Sequence, residues 1–294
     1  MIFACIDIGS NTTRLLVAEP SDGRLRELTA ERVFTCIRKS LDGSGRIPPE
    51  KVAETVEVIT AQARVARGLG ATKIVAVATA AIRDAANREE LERGVQEALG
   101  QPLRVISGEE EARLSFVGAT RTIPDAVPGT IAVVDVGGGS TEIAVGSPEK
   151  GVEWWRSLPI GSGVLADRLL RSDPPAAGEI DACRRRVAAI FDGLAAPKVD
   201  RAVAVGGTAT SLLRVLGAAL DHDTLERGIR LLAETPIAEL ANRLELDPER
   251  VRLLPAGILV LEALSDRLGP LQIARGGLRE GVILELAARA TAEG

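Results

Sequence analysis

The strongest constraint on this chain is a short segment that occurs twice. Residues 2–19 run from apolar Ile2 to Ile6 through Asp7-Ile8-Gly9-Ser10-Asn11-Thr12 to Arg14-Leu15-Leu16-Val17-Ala18. Residues 130–146 run from Ile131-Ala132-Val133-Val134 through Asp135-Val136-Gly137-Gly138-Gly139-Ser140-Thr141 to Glu142-Ile143-Ala144-Val145-Gly146. Each copy is expected to be a strand, a glycine turn and a second strand. Aligning Asp7 on Asp135 also aligns Gly9 on Gly137, with hydroxyl-bearing residues following in both. An internal duplication of a phosphate-handling domain is the economical reading. At 294 residues and 46% hydrophobic, the chain has room for two cores of ordinary size.

Strands alternate with helices through the rest of the chain, which predicts an α/β architecture. Pro48-Pro49-Glu50 opens a helix continued by Val52, Val56, Ile59 and Ala63, and Lys73 to Ala78 follows as a buried strand. Asn87 is expected to cap a helix over 88–99, with Leu103 to Ile106 the next strand. Ser107-Gly108-Glu109-Glu110-Glu111 enters a further helix with Leu114 and Val117 on its apolar side, and acidic residues suit the positive end of a helix macrodipole. Pro124 and Pro128 bracket a short connection before the second loop, which sets the expected domains at 1–123 and 124–280. A last helix over about 281–294 is expected to pack back on the first domain. Arg201 to Val205 forms a buried strand entering Gly206-Gly207-Thr208, a third place where glycines, a hydroxyl and a helix start coincide.

These places can hold phosphate because a phosphate oxygen approaches the backbone only where no Cβ intervenes, and successive N–H groups then form a concave anion seat. Gly9, Gly137, Gly138, Gly139, Gly206 and Gly207 supply such backbone, with Ser10, Asn11, Ser140, Thr141 and Thr208 as side-chain donors. Asp7 and Asp135 begin their turns at strand ends, and acids around phosphate oxygens point to a divalent cation, most often Mg²⁺. The competing role for both aspartates is to hydrogen-bond their own turns. Glu142, just after the second loop, is a further candidate for metal or water. Phosphoanhydride hydrolysis needs an aligned water and charge stabilisation, and the Glu109-Glu110-Glu111 run is the obvious source of a carboxylate. Successive helical residues are rotated by about 100°, so these three cannot all serve one site. Arg83 follows a buried strand and could clamp a phosphate; a surface salt bridge is the alternative.

A net charge of -5 and an aromatic content of 2%, with no tyrosine, argue against extended nucleic-acid binding. His222 is the sole histidine, which excludes a zinc site built on several imidazoles, and Asp221-His222-Asp223 reads as a surface turn. Cys5, Cys36 and Cys183 are far apart and fit buried thiols in a reducing cytoplasm. The start lacks the basic and apolar regions of a signal peptide, and no span approaches a membrane helix, so a cytoplasmic protein without membrane attachment is expected.

Together with Ala78-Thr79-Ala80-Ala81-Ile82-Arg83-Asp84-Ala85, Ile106-Ser107-Gly108-Glu109-Glu110-Glu111-Ala112-Arg113-Leu114 and Gly277-Leu278-Arg279-Glu280-Gly281, the three loops resemble the exopolyphosphatase and guanosine-pentaphosphate phosphohydrolase family. The resemblance spans nearly the whole chain in order. It implies two ribonuclease-H-like domains of the actin-like, hexokinase-like ATPase superfamily with an interdomain active-site cleft. It puts the catalytic glutamate on Glu111, the second carboxylate on Glu142, the metal-associated or water-orienting aspartate on Asp135 and the phosphate-binding arginine on Arg83. Ser10, Asn11 and Gly137 to Ser140 take the family's loop positions; with Asp7 from the reading of the first turn, the candidate metal set is Asp7, Asp135 and Glu142. The expected substrate is short-chain polyphosphate or guanosine pentaphosphate, because the chain stops soon after Gly281 and resembles the short, two-domain members. A homodimer is the expected assembly. One departure is Gly161-Ser162-Gly163-Val164, where many relatives carry an arginine in place of Val164.

Overall fold

The computed structural model describes residues 1–21, 23–123 and 129–293. Pro124 and Pro128, the expected domain connection, lie outside the described residues. In chain order the first elements are β1 (Ile2–Ile8), β2 (Thr13–Ser21), β3 (Arg24–Val33), α1 (Ile37–Ser40), α2 (Pro49–Gly68), β4 (Ala71–Ala78), α3 (Ala80–Arg83), α4 (Arg88–Leu99), β5 (Arg104–Val105) and α5 (Gly108–Thr122). Then come β6 (Ile131–Val136), β7 (Thr141–Ser147), β8 (Gly151–Leu158), α6 (Ser162–Leu169), α7 (Ala177–Phe191), β9 (Arg201–Val205), α8 (Gly206–Leu216) and β10 (Ala219–Leu220). The chain ends with α9 (His222–Glu234), α10 (Ile237–Leu244), α11 (Pro248–Leu268), β11 (Leu271–Ile273) and α12 (Leu278–Glu293). They divide into two compact units, Met1–Thr122 with Gly276–Gly294, and Ile123–Arg275.

The first unit is built on a five-stranded sheet of order β3-β2-β1-β4-β5. β1 pairs antiparallel with β2 and parallel with β4, and the remaining pairs continue each sense outward. An antiparallel meander followed by parallel crossovers is the ribonuclease-H-like arrangement. Both faces of the central strands are buried, so β1 reads as a continuous apolar run rather than an alternating one. One face packs on α2 and α4 through Ile6, Ile8, Leu15, Ile59, Ala63, Leu91 and Val95. On the other, Phe3, Cys5, Leu16 and Val77 meet Leu114 of α5 and Leu278, Val282, Ile283 and Leu286 of α12. The two helices pack backbone to backbone there: a Cβ on Gly281 would lie 2.0 Å from the Leu114 carbonyl oxygen, and one on Gly118 1.9 Å from that of Gly277.

The second unit repeats the plan in a six-stranded sheet of order β10-β11-β9-β6-β7-β8. β6, β7 and β8 form the meander, β9 and β11 run parallel, and β10 adds an antiparallel edge. Its core is larger and centres on α11, where Leu253 to Leu261 are buried in an unbroken run. A helix buried all round reads as continuously apolar, which is why its amphipathic signal is weak.

Two local expectations differ from the structure. Asn87 occupies the N-cap position of α4, but its side chain makes no cap bond. Instead its Oδ1 accepts from the Ile47 N–H at 2.8 Å and its Nδ2 donates to the Ile47 carbonyl at 3.0 Å, pinning a segment forty residues away. His222 is exposed, yet it opens α9 rather than a turn, because the Asp221 carboxylate accepts from the Thr224 N–H at 2.8 Å and caps that helix.

Candidate functional site

In the first unit, β1 turns into β2 through the loop Gly9–Thr12, closed by the Gly9 N–H donating to the Thr12 carbonyl at 3.0 Å. The next two carbonyls are also occupied by protein. The Arg38 N–H donates to Ser10 and the Cys36 N–H to Asn11, each at 3.0 Å, from a segment where Cys36 is left-handed at φ 46. Gln62 of α2 donates its Nε2 to the Thr13 carbonyl at 3.3 Å. Held in this way, the loop buries Ser10 and Asn11, and among the described residues the Asn11 Nδ2 has no hydrogen-bond partner. A buried amide donor without a partner is costly unless something accepts from it.

Asp7 stands directly opposite Arg14 in the β1–β2 ladder, so both side chains project from one face. Burial pulls the Arg14 guanidinium down to about 9, with the like charge of Arg279 adding to the effect and Asp7 opposing it. Arg279, on α12, donates to the Leu15 carbonyl at 2.8 Å. The sequence reading took Arg14 as an ordinary strand residue. The signal for it was present, because the alignment that matches Asp7 to Asp135 also matches Arg14 to Glu142.

The Arg83 and Glu111 positions come together. Arg83, at the end of short α3, donates from Nη1 to the Ile106 carbonyl at 2.9 Å, and the same nitrogen lies 3.4 Å from Glu111 Oε2. Three consecutive glutamates separate as helix rotation requires: Glu109 is exposed, Glu110 is half-buried in an ion pair with Arg104, and Glu111 is buried. The Ser107 hydroxyl accepts from the Glu110 N–H at 3.1 Å and caps the α5 start.

In the second unit the same turn recurs, with the Gly137 N–H donating to the Ser140 carbonyl at 3.0 Å. The N–H groups of Ser162 and Val164, at the start of α6, donate to the carbonyls of Gly137 and Gly138 at 2.9 and 3.0 Å. Gly138 is half-buried, and Gly139 and Ser140 are buried. The hydroxyls of Thr141 and Thr208 are engaged inside the protein: Thr141 donates to the Ile160 carbonyl at 2.6 Å and Thr208 to that of Val136 at 2.8 Å. These two bonds tie the loops to the interior of the unit.

Asp135 stands opposite Glu142 in the β6–β7 ladder, so two carboxylates share one face. Glu142 is 2% exposed and accepts from the Ser157 hydroxyl at 2.7 Å. Like charges directly opposite destabilise a sheet, and a divalent cation takes just one or two carboxylates, so this pair fits Mg²⁺. Among the described residues no cluster of three or more His, Cys, Asp or Glu could hold a metal ion. Gly206 opens α8 at φ 83, and a Cβ there would lie 2.1 Å from Asp135 Oδ1. The guanidinium of Arg250, in the first turn of α11, covers Gly207, where a Cβ would meet Nη2 at 3.1 Å. Sequence inspection missed Arg250, because nothing local ties it to a loop over forty residues earlier.

Among the described residues, no helix is long and apolar enough to cross a membrane. The model of the Ppx/GppA phosphatase family matches residues 16–290. Exopolyphosphatase 1 of Mycobacterium bovis is 33% identical over 97% of this chain and 88% of its own length. Exopolyphosphatase 2 of Mycobacterium tuberculosis is 30% identical over 97% of this chain and 98% of its own. The crystal structure of the Aquifex aeolicus member of the Ppx/GppA family superposes with a TM-score of 0.83 at 28% identity, covering 99% and 98% of the two chains.

Proposed function

Because the chain belongs to the Ppx/GppA phosphatase family, we propose that it is an exopolyphosphatase that releases terminal orthophosphate from short-chain inorganic polyphosphate. The observation that supports this reading most directly is the buried Glu111 carboxylate beside Arg83, 3.4 Å apart at the start of α5. Glu111 accepts a proton from water as the oxygen attacks the terminal phosphorus; the bridging P–O bond breaks and the shortened chain departs with the electron pair. Arg83 offsets the charge on the transferring phosphoryl oxygens, and the amides of the Gly9 and Gly137–Gly139 loops orient the chain. Asp135 and Glu142 would hold Mg²⁺, which would supply charge neutralisation to the phosphate oxygens.

Orthophosphate release from polyphosphates of defined length, with guanosine pentaphosphate and ATP alongside, tests the assignment. The expected result is release from polyphosphate that falls by about 10³-fold in Glu111→Gln while affinity is kept. Release at the parental rate in that variant would exclude Glu111 as the base. Transfer of phosphate from ATP to an acceptor in place of orthophosphate release would make the protein a phosphotransferase. Tight polyphosphate binding without turnover would make it a sensor.

A further inference from the structure

The loops of the two units are buttressed in the same place by different chemistry. In each, the residue after the loop glycine, Ser10 or Gly138, has its carbonyl bonded by an amide from an early helical turn, Arg38 or Val164, at 3.0 Å. Val164 is buried and apolar. Arg38 is half-buried and is followed by exposed Lys39, while Ile37 beside them is fully buried and fixes the turn in the core. The Ser40 hydroxyl, donating to the Cys36 carbonyl at 3.1 Å, closes the same turn.

Among the described residues, neither the Arg38 guanidinium nor the Lys39 ammonium has an ion pair or a side-chain hydrogen bond, unlike Arg46 with Glu90 or Arg83 with Glu111. Asp42, the nearest acid in sequence, turns its Oδ1 to the N–H groups of Ser44 and Arg46 and to the Ser44 hydroxyl. Two adjacent unpaired cations are thus anchored to a phosphate loop on a chain of net charge -5. In that same loop the buried Asn11 Nδ2 has no hydrogen-bond partner among the described residues. Both observations call for an anion at the Ser10–Asn11 side of the turn.

We propose that Arg38 and Lys39 bind the phosphates that follow the terminal one, forming a subsite that adds affinity with each further link of a short polyphosphate chain. The inference rests on the polyphosphate reading above. A second phosphate lies one anhydride bond from the first, so a cation tied to the loop by its own backbone is placed to meet the next links of the chain. Each cation that meets a phosphate releases counterions, so binding through this subsite is salt-dependent.

The test compares the parental protein with Arg38→Gln/Lys39→Gln, Arg38→Glu/Lys39→Glu and Arg38→Lys/Lys39→Arg. Binding of tripolyphosphate and of a longer short-chain polyphosphate is followed by calorimetry over a range of salt, alongside orthophosphate release and thermal melting. In the Gln pair the Kd for the longer chain is expected to rise about ten-fold more than that for tripolyphosphate, and the salt slope to fall by about one per cation removed. The Glu pair should go further, and the exchanged pair should retain chain-length preference. Unchanged Kd ratios and salt slopes in variants that melt like the parent would overturn the subsite. If the parent binds polyphosphate without releasing orthophosphate, the hydrolase reading fails and the subsite stands. If it binds none, both fall.

Discussion

The turns at Gly9 and Gly137 share a closing hydrogen bond of 3.0 Å and an aspartate two residues earlier, yet they differ in what the neighbouring strand presents to that aspartate. Asp7 faces Arg14, whereas Asp135 faces Glu142. One scaffold therefore sets an acid opposite a base in one unit and two acids opposite each other in the other. A doubled carboxylate is stable when a cation joins it, so the second unit is better suited to the metal and the first to anions.

The largest effect expected from this contrast is in the carboxylates. Asp135→Asn or Glu142→Gln should lower turnover by about 10²–10³-fold and raise the Mg²⁺ concentration needed for half-maximal rate. Asp7→Asn should cost less and shift the Mg²⁺ requirement less, since Arg14 supplies its counter-charge. Equal shifts in Mg²⁺ titrations of the three variants would break the contrast. Next comes Gly206→Ala, where a φ of 83 and a Cβ 2.1 Å from Asp135 Oδ1 combine strain with displacement of the aspartate. Unfolding titrations should show a loss of about 1–3 kcal/mol, with turnover per folded molecule reduced as well. The corresponding Gly9→Ala meets the Thr12 carbonyl at 3.3 Å without a positive φ and should be milder.

Thr208→Val and Thr141→Val remove hydroxyls that satisfy buried carbonyls. Each should cost about 1–3 kcal/mol in denaturant unfolding, and the surviving folded fraction should keep its polyphosphate affinity. An affinity loss larger than the stability loss would return those hydroxyls to the phosphate. The smallest expected effect concerns Cys183, whose thiol is pushed up to about 12 by burial. A folded value above the unfolded one means stability that is full below about 9 and is lost as pH climbs toward 12. The stability deficit of Cys183→Ala relative to the parent should therefore narrow over that range, as urea titrations at stepped pH would show.

Elements with strong punctuation were legible in the sequence: the duplicated loops, the proline start of α2 at Pro49 and the acidic start of α5. The separation of Glu109, Glu110 and Glu111 followed from helix rotation alone, before any partner was known. What escaped was long-range. Asn87 has the residue type of a cap, but its amide matches both backbone groups of Ile47, forty residues away, and two bonds to buried backbone outcompete one to a helix end. Arg14 and Arg250 sit in segments whose local pattern is fully accounted for by strand and helix. Their significance appears once the ladder sets Arg14 against Asp7 and the fold lays Arg250 over Gly207.

The return of α12 to the first unit has a consequence for the order in which the protein can be made. The apolar face formed by Phe3, Cys5, Leu16, Val77 and Leu114 is covered by Leu278, Val282, Ile283 and Leu286. On a ribosome those partners emerge after the whole of the second unit, whose residues are contiguous. The second unit can complete its core while the first still waits with an uncovered sheet face. The helix that carries Glu111 is left without its backbone-close neighbour for the same interval, so its packed form waits on α12.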